Sequence, residues 1–192
     1  MKASEVIKLA EEEVGYIGKL KPTDNLYIKE APSGAGLYTK YAKELFEAGY
    51  YNGNKNGFSW CCVFMDWLYY HLAGDKAKAE EVKPTGIYGA GVRWAKGYFP
   101  ESRISNLPSV GAQVFYKDPK NGELTHTGLV VKVTENSITT IEGNWSKQVS
   151  VRTLPLTDTR IDSFGLPFYE EEPTDEWETV AEWDNYRLQH RK

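Results

Sequence analysis

The sequence predicts an α+β fold in which N-terminal helices pack on a C-terminal antiparallel sheet. Three observations carry this. Up to about Lys96, apolar residues recur at helical spacing; after Pro100 the pattern shortens to strand-like runs; and turn signals rather than helices separate those runs. Ala3 to Val14 places Val6, Ile7, Leu9, Ala10 and Val14 on one helical face, with Ser4 as its expected cap and Gly15 or Gly18 as its end. A loop holding Pro22, Pro32, Gly34 and Gly36 follows. Leu37 to Ala48 reads as a second helix closed by Gly49, and the turn-rich Asn52-Gly53-Asn54-Lys55-Asn56-Gly57 leads into a third, Trp60 to Leu72, stopping near Gly74. Shorter helices are expected over Asp75 to Glu81 and around Ala90 to Lys96. Strands are expected over Ala112 to Tyr116, His126 to Val133, Ser137 to Glu142, Gln148 to Leu154 and Phe164 to Tyr169.

The 192 residues, 41% hydrophobic and 26% charged, suit one globular domain with a sizeable core. Residues 1–169 read as that domain and 170–192 as an acidic tail or linker. From Glu170 to Lys192 there are eight acidic and three basic residues, or −5, which leaves +1 for the rest of a chain at −4. That distribution lacks the basic stripe of a nucleic-acid binder. No apolar run approaches the roughly 18 residues of a membrane span. The charged start Met1-Lys2-Ala3-Ser4-Glu5 lacks the apolar block of a signal peptide, so export by the usual secretory route is not expected.

Cys61 and Cys62 are the only cysteines, and they fall at the first turn of the third helix. Unpaired backbone N–H groups and the positive end of the helix dipole favour thiolate there, which suggests nucleophilic chemistry. Neighbouring cysteines meet disulfide geometry poorly. Two Cys and three scattered His give no metal-ligand spacing, so neither metal nor cofactor is expected.

A nucleophilic Cys needs a base and a group that orients the base. His126 is the candidate base. His71 lies ten residues on from Cys61, about 15 Å by helical rise, and His190 lies in the tail. Glu142 and Asn144 are two apart in the following strand and share a face. A clean two-residue turn at Glu135-Asn136 would pair Leu129 with Glu142 and turn Glu142 away from His126. A three-residue loop, Thr134 to Asn136, pairs Gly128 with Glu142 and His126 with Asn144. A common site therefore requires an odd-length loop or a bulge.

Trp60-Cys61-Cys62-Val63-Phe64, then His126-Thr127-Gly128-Leu129-Val130, then Glu142-Gly143-Asn144, in that order, resemble the CHAP amidohydrolase/peptidase family of papain-like cysteine enzymes. Pro108-Ser109-Val110-Gly111-Ala112-Gln113-Val114-Phe115 looks like that family's strand entry, departing from it at Gln113, and Phe164-Gly165-Leu166-Pro167 looks like its closing strand. The resemblance implies Cys61 as nucleophile, Cys62 as packing, His126 as general base, Glu142 as the residue orienting it, and Asn144 as an accessory polar group holding the base or lining the site. Trp60, Tyr38 and Trp145 flank these segments as candidate groove residues.

The resemblance further implies a monomeric cell-wall hydrolase of the phage-lysin kind. Its partner would be bacterial peptidoglycan, with no nucleic acid or membrane bound. The scissile bond would be the N-acetylmuramoyl-L-alanine amide or a peptide bond in the stem or crossbridge. The alternatives are a non-catalytic wall-binding domain of the same fold and a cysteine amidase acting on a non-wall peptide conjugate.

Overall fold

A computed structural model describes residues 1–170. The expected reading of 170–192 as a tail therefore falls almost wholly outside the described residues. Among the described residues five α-helices precede a six-stranded antiparallel sheet: α1 Ala3–Glu13, α2 Lys40–Glu47, α3 Cys61–Ala73, α4 Lys76–Val82 and α5 Val92–Tyr98. The strands are β1 Ile104–Ser105, β2 Gln113–Lys117, β3 Leu124–Val133, β4 Ser137–Trp145, β5 Gln148–Pro155 and β6 Ile161–Gly165, in the order β1-β6-β2-β3-β4-β5. The expected α+β arrangement is present.

Local chemistry sets several boundaries. The Lys2 N–H donates to the Glu5 carboxylate at 2.7 Å, so α1 is capped from Lys2 and Ser4 lies inside the helix. Thr39 Oγ1 accepts from the Ala42 N–H, which starts α2 later than Leu37. Asp75 caps α4 through the Lys78 N–H. The last strand is shifted from its expected span. It pairs with β2 and β1 only as far as Gly165; Leu166 N–H turns to Arg103 and Pro167 has no N–H to donate. The two-residue β1 and the 3-10 turn Glu101–Arg103 before it are too short to show a period in sequence.

α3 is the central helix, buried from Cys61 through Tyr69 without a break. A helix apolar on every side must be surrounded. α1, α2, α4 and α5 pack around it, and its remaining side lies on β3 and β4. The main core joins Val63, Phe64, Trp67 and Leu68 of α3 to Val6, Tyr41, Leu45, Leu129 and Ile141. On the other face of the sheet Val114, Val130, Ile138, Leu154 and Phe164 form a second cluster. Alternation along β2 and β3 sends successive residues to opposite faces.

One polar group interrupts α3. Asp66 is fully buried and takes Lys83 as its ion-pair partner, with Thr85 and Tyr51 hydrogen bonded to its two oxygens. Such a pair is stabilising only while both members are present. It ties the middle of α3 to the end of α4 and the loop after it.

Two glycines let β3, β4 and α3 approach one another. A Cβ on Gly143 would sit 2.5 Å from Phe64 Cβ, and one on Gly128 would sit 2.5 Å from Glu142 Cγ. The small residues in His126-Thr127-Gly128 and Glu142-Gly143-Asn144 are thus spacing devices. Gly143→Ala is expected to destabilise the fold by about 1–3 kcal/mol through overpacking. A lowered thermal midpoint, with activity per folded molecule reduced as β4 moves off α3, is the outcome a melting curve and a matched assay check.

Candidate active site

The β3–β4 hairpin turns tightly: the Thr134 N–H donates to the Ser137 carbonyl across Glu135-Asn136. Val133 pairs with Ile138 and Lys132 with Thr139, and then Val130 pairs with Thr140 and Leu129 with Ile141. Val131 is the extra residue of a β-bulge. Without it the two-residue turn would set Glu142 opposite Leu129. With it, the register carried one residue further sets Glu142 opposite Gly128, on the face of His126. The bulge, and not a three-residue loop, meets the parity condition.

His126 Nε2 lies 2.9 Å from Glu142 Oε2. The imidazole also acts on the Cys61 thiol, and each lowers or raises the other's proton affinity in favour of charge. Cys61 at the head of α3, His126 on β3 and Glu142 in the middle of β4 thus act on one another in sequence. Cys61 is 3% exposed, at the edge of the buried helix, whereas Cys62 is fully buried.

Glu142 is fully buried and accepts four hydrogen bonds. Tyr116 and Thr140 hydroxyls donate to Oε1 at 2.7 and 2.8 Å; Arg152 Nη1 donates to Oε2 at 2.8 Å beside His126. Burial opposes its ionisation, but His126, Arg152 and Tyr116 together hold its carboxyl below the usual range. Arg152 also lies under Trp145, its guanidinium carbon 3.5 Å from the ring centroid, and Trp145 tilts over His126 at 5.7 Å. One guanidinium therefore steadies both the carboxylate and the indole that flank the imidazole.

The two thiols differ in charge. The hydrogen bond with Cys62 and then the hydrogen bond and charge of His126, against the cost of burial, hold Cys61 well below its ordinary range. Cys62 is pushed well above its own, first by that same bond to Cys61, then by burial and the charges of Cys61 and Asp66. Burial disfavours the imidazolium of His126, yet its bonds to Cys61 and Glu142 outweigh this and raise it to about 9. The resulting state is a Cys61 thiolate facing a His126 imidazolium.

The remaining sequence candidates separate. Asn144 does not bond the imidazole. Its backbone turns to φ 63, and Nδ2 donates to Ser59 Oγ at 2.8 Å, which joins the end of β4 to the residues entering α3. Trp145 is 38% exposed beside His126. Trp60 is fully buried between Tyr16 and Tyr41, so its expected place in a groove is corrected to one in the core. Tyr38 packs beside Gly57, and its carbonyl accepts from the Lys19 N–H. Gln113 is buried and donates to Thr127 Oγ1, a structural contact. Tyr116, Thr140 and Arg152 carry no signal in the sequence. Their roles become visible only once strand pairing brings β2 and β5 to either side of β3 and β4.

Residues 53–144 match the model of the CHAP domain, a span that contains Cys61, His126, Glu142 and Asn144. That stretch, just under half of the chain, is similar to a CHAP domain. CHAP domains are in general cysteine- and histidine-dependent amidohydrolases or peptidases acting on peptidoglycan. The match begins after α2 and ends within β4, short of the whole domain expected from sequence. A crystal structure of Ly7917 is similar over 87% of this chain and 63% of that chain, with a TM-score of 0.51 and 11% identity. At that identity the likeness speaks for the fold alone, and this chain spans less than two thirds of that neighbour's length. No curated protein matches the chain.

The ion pair has a direct spectroscopic consequence. The His126 ring resonances in a proton NMR titration are expected to move with a midpoint near 9. In Glu142→Gln, which removes one of the two groups that raise it and leaves Arg152 without its counter-charge, the midpoint is expected to fall.

Proposed function

We propose that this chain is a peptidoglycan hydrolase that cuts an amide bond through an acyl-enzyme on Cys61. The observation that carries this is the buried Glu142 bonded to His126 at 2.9 Å, with His126 in turn holding the Cys61 thiol below its ordinary range. The catalytic unit is taken as residues 1–169, acting at the cell wall in the manner of a phage or prophage lysin. The bond cut is the N-acetylmuramoyl-L-alanine amide or a peptide bond of the stem or crossbridge.

Each step follows from a group on hand. Cys61 Sγ, already a thiolate, attacks the amide carbonyl. The first N–H groups of α3 have no intrahelical acceptor, since the first such bond runs from Phe64 N to Trp60 O, and they are available to the oxyanion. The His126 imidazolium gives its proton to the leaving amine as the C–N bond breaks, which leaves a thioester and a neutral imidazole. That imidazole then takes a proton from water, whose oxygen attacks the thioester carbonyl and releases acid and thiolate. Glu142 keeps the ring oriented and favours its charged form. Asn144, through Ser59, holds the segment that precedes the nucleophile.

Incubation with purified sacculi, followed by identification of new amino termini, tests the reading. New N-terminal L-alanine indicates the amidase, and other new termini indicate an endopeptidase. Cys61→Ala is expected to lower the rate by roughly 10³-fold or more. Cys62→Ala is expected to keep activity while moving the acid limb of the pH profile upward, because Cys61 loses the hydrogen bond that lowers it most. Activity should fall above about pH 9, where His126 loses its proton. Sacculi left intact by the wild type, or hydrolysis unaffected by Cys61→Ala, would overturn the proposal.

A further inference from the structure

A cleft opens beside His126, between β3, β5 and the turn before β6. Lys117, Arg152, Arg160, His126, Tyr116 and Trp145 form most of its wall, and no acidic side chain lines it. Each cation is held from behind by a carboxylate that is not part of that wall. Arg160 is gripped by both oxygens of Asp158, Arg152 donates to Glu142, and Lys117 shares Asp162 with Lys96. Asp162 is the more heavily shared of the two carboxylates outside the catalytic chain. Lys96 Nζ lies 2.6 Å from it and Ser163 Oγ 2.8 Å, against 3.4 Å for Lys117 Nζ, so Lys117 is the most loosely held cation. Tyr116 stacks at 20° to His126, 5.8 Å away, and Trp145 covers the same ring from another side. The cleft therefore adjoins the imidazole and presents fixed positive groups between two aromatic walls.

His126 hands its proton to the leaving amine, so whatever is attached to that amine lies on the His126 side of the scissile bond. We propose that this cleft receives a free carboxylate on the amine-side portion of the substrate, bound by Lys117 and Arg160. This rests on the hydrolase reading above and deepens it. The favoured substrates are then amides whose departing portion is anionic, such as a stem peptide bearing an unamidated carboxyl group, and not their carboxamide counterparts. Arg152 is committed to the catalytic carboxylate Glu142 and to Trp145; Lys117 and Arg160, paired with Asp162 and Asp158, take no part in the chemistry and are the cations assigned to recognition. Charge-assisted, planar recognition of a carboxylate is what a guanidinium and an ammonium flanked by aromatic rings provide.

The test compares two soluble muropeptides that differ only in a carboxylate or carboxamide on the leaving portion. The wild type is expected to favour the acid by about tenfold in kcat/KM, chiefly through KM. Lys117→Gln and Arg160→Gln are each expected to lose most of that preference and to keep the rate on the amide. Lys132→Gln, which removes a positive charge from an exposed position on β3, should keep the preference. Equal rates on the two substrates, or a preference that survives both cleft substitutions, would overturn the inference.

A binding measurement separates this inference from the wall-hydrolase reading, whatever the sacculi show. N-acetyl-D-alanine is titrated against the His126 ring resonances, with N-acetyl-D-alaninamide as control. A saturable shift with the acid alone, lost in Arg160→Gln, supports the cleft. No shift with either compound, or the same shift with both, overturns it.

Discussion

The site is organised around one buried negative charge. Glu142 has no access to water and would be costly to bury as an isolated ion, by several kcal/mol. Four donors make it tolerable, three of them from other strands: Tyr116 of β2, His126 of β3 and Arg152 of β5, with Thr140 from its own β4. The carboxylate therefore fixes the strands to one another as firmly as it fixes the imidazole. The same charge lifts His126, and His126 in turn depresses Cys61. The charge at the head of α3 is thus set first by Cys62 beside it and then, through His126, from the middle of the sheet.

That coupling explains why small residues surround the site. Gly128 leaves room for the Glu142 side chain, and Gly143 lets β4 meet α3 at Phe64. Val131 supplies the bulge that brings Glu142 to the right face. Asn144, in a left-handed conformation, bends the strand end toward Ser59 and so ties it to the start of α3. From the other side, the Asp66–Lys83 pair anchors the same helix one turn below the thiols. Cys61 is thus held between two buried polar anchors.

Much of this is legible in the sequence, for identifiable reasons. Helices α1 to α5 show a period and end at Gly, Pro or a capping residue. Cys61, His126 and Glu142 stand out because each type is rare or oddly placed in its segment. Parity along the hairpin states that a bulge or an odd loop is required, but it cannot say which residue bulges; the unbroken apolar run Leu129-Val130-Val131 hides the irregularity. Trp60 is misread because an aromatic next to a nucleophile looks the same in sequence whether it faces substrate or core. Arg152, Tyr116 and Thr140 are invisible for a different reason. A carboxylate with four donors is made largely by strands that are distant in sequence, and no local pattern marks those donors.

The central claim is that Cys61 is a thiolate at neutral pH because its bond to Cys62 and the imidazolium that Glu142 helps to maintain both favour the charged sulfur. The most direct measurement is the ultraviolet absorbance of thiolate against pH, taken as the difference between the wild type and Cys61→Ser. The expected result is a thiolate signal already present in the acid range and steady through neutrality, with no such signal from Cys62 in the Cys61→Ser protein. A signal that develops only around the ordinary thiol value of about 8.5 would contradict it.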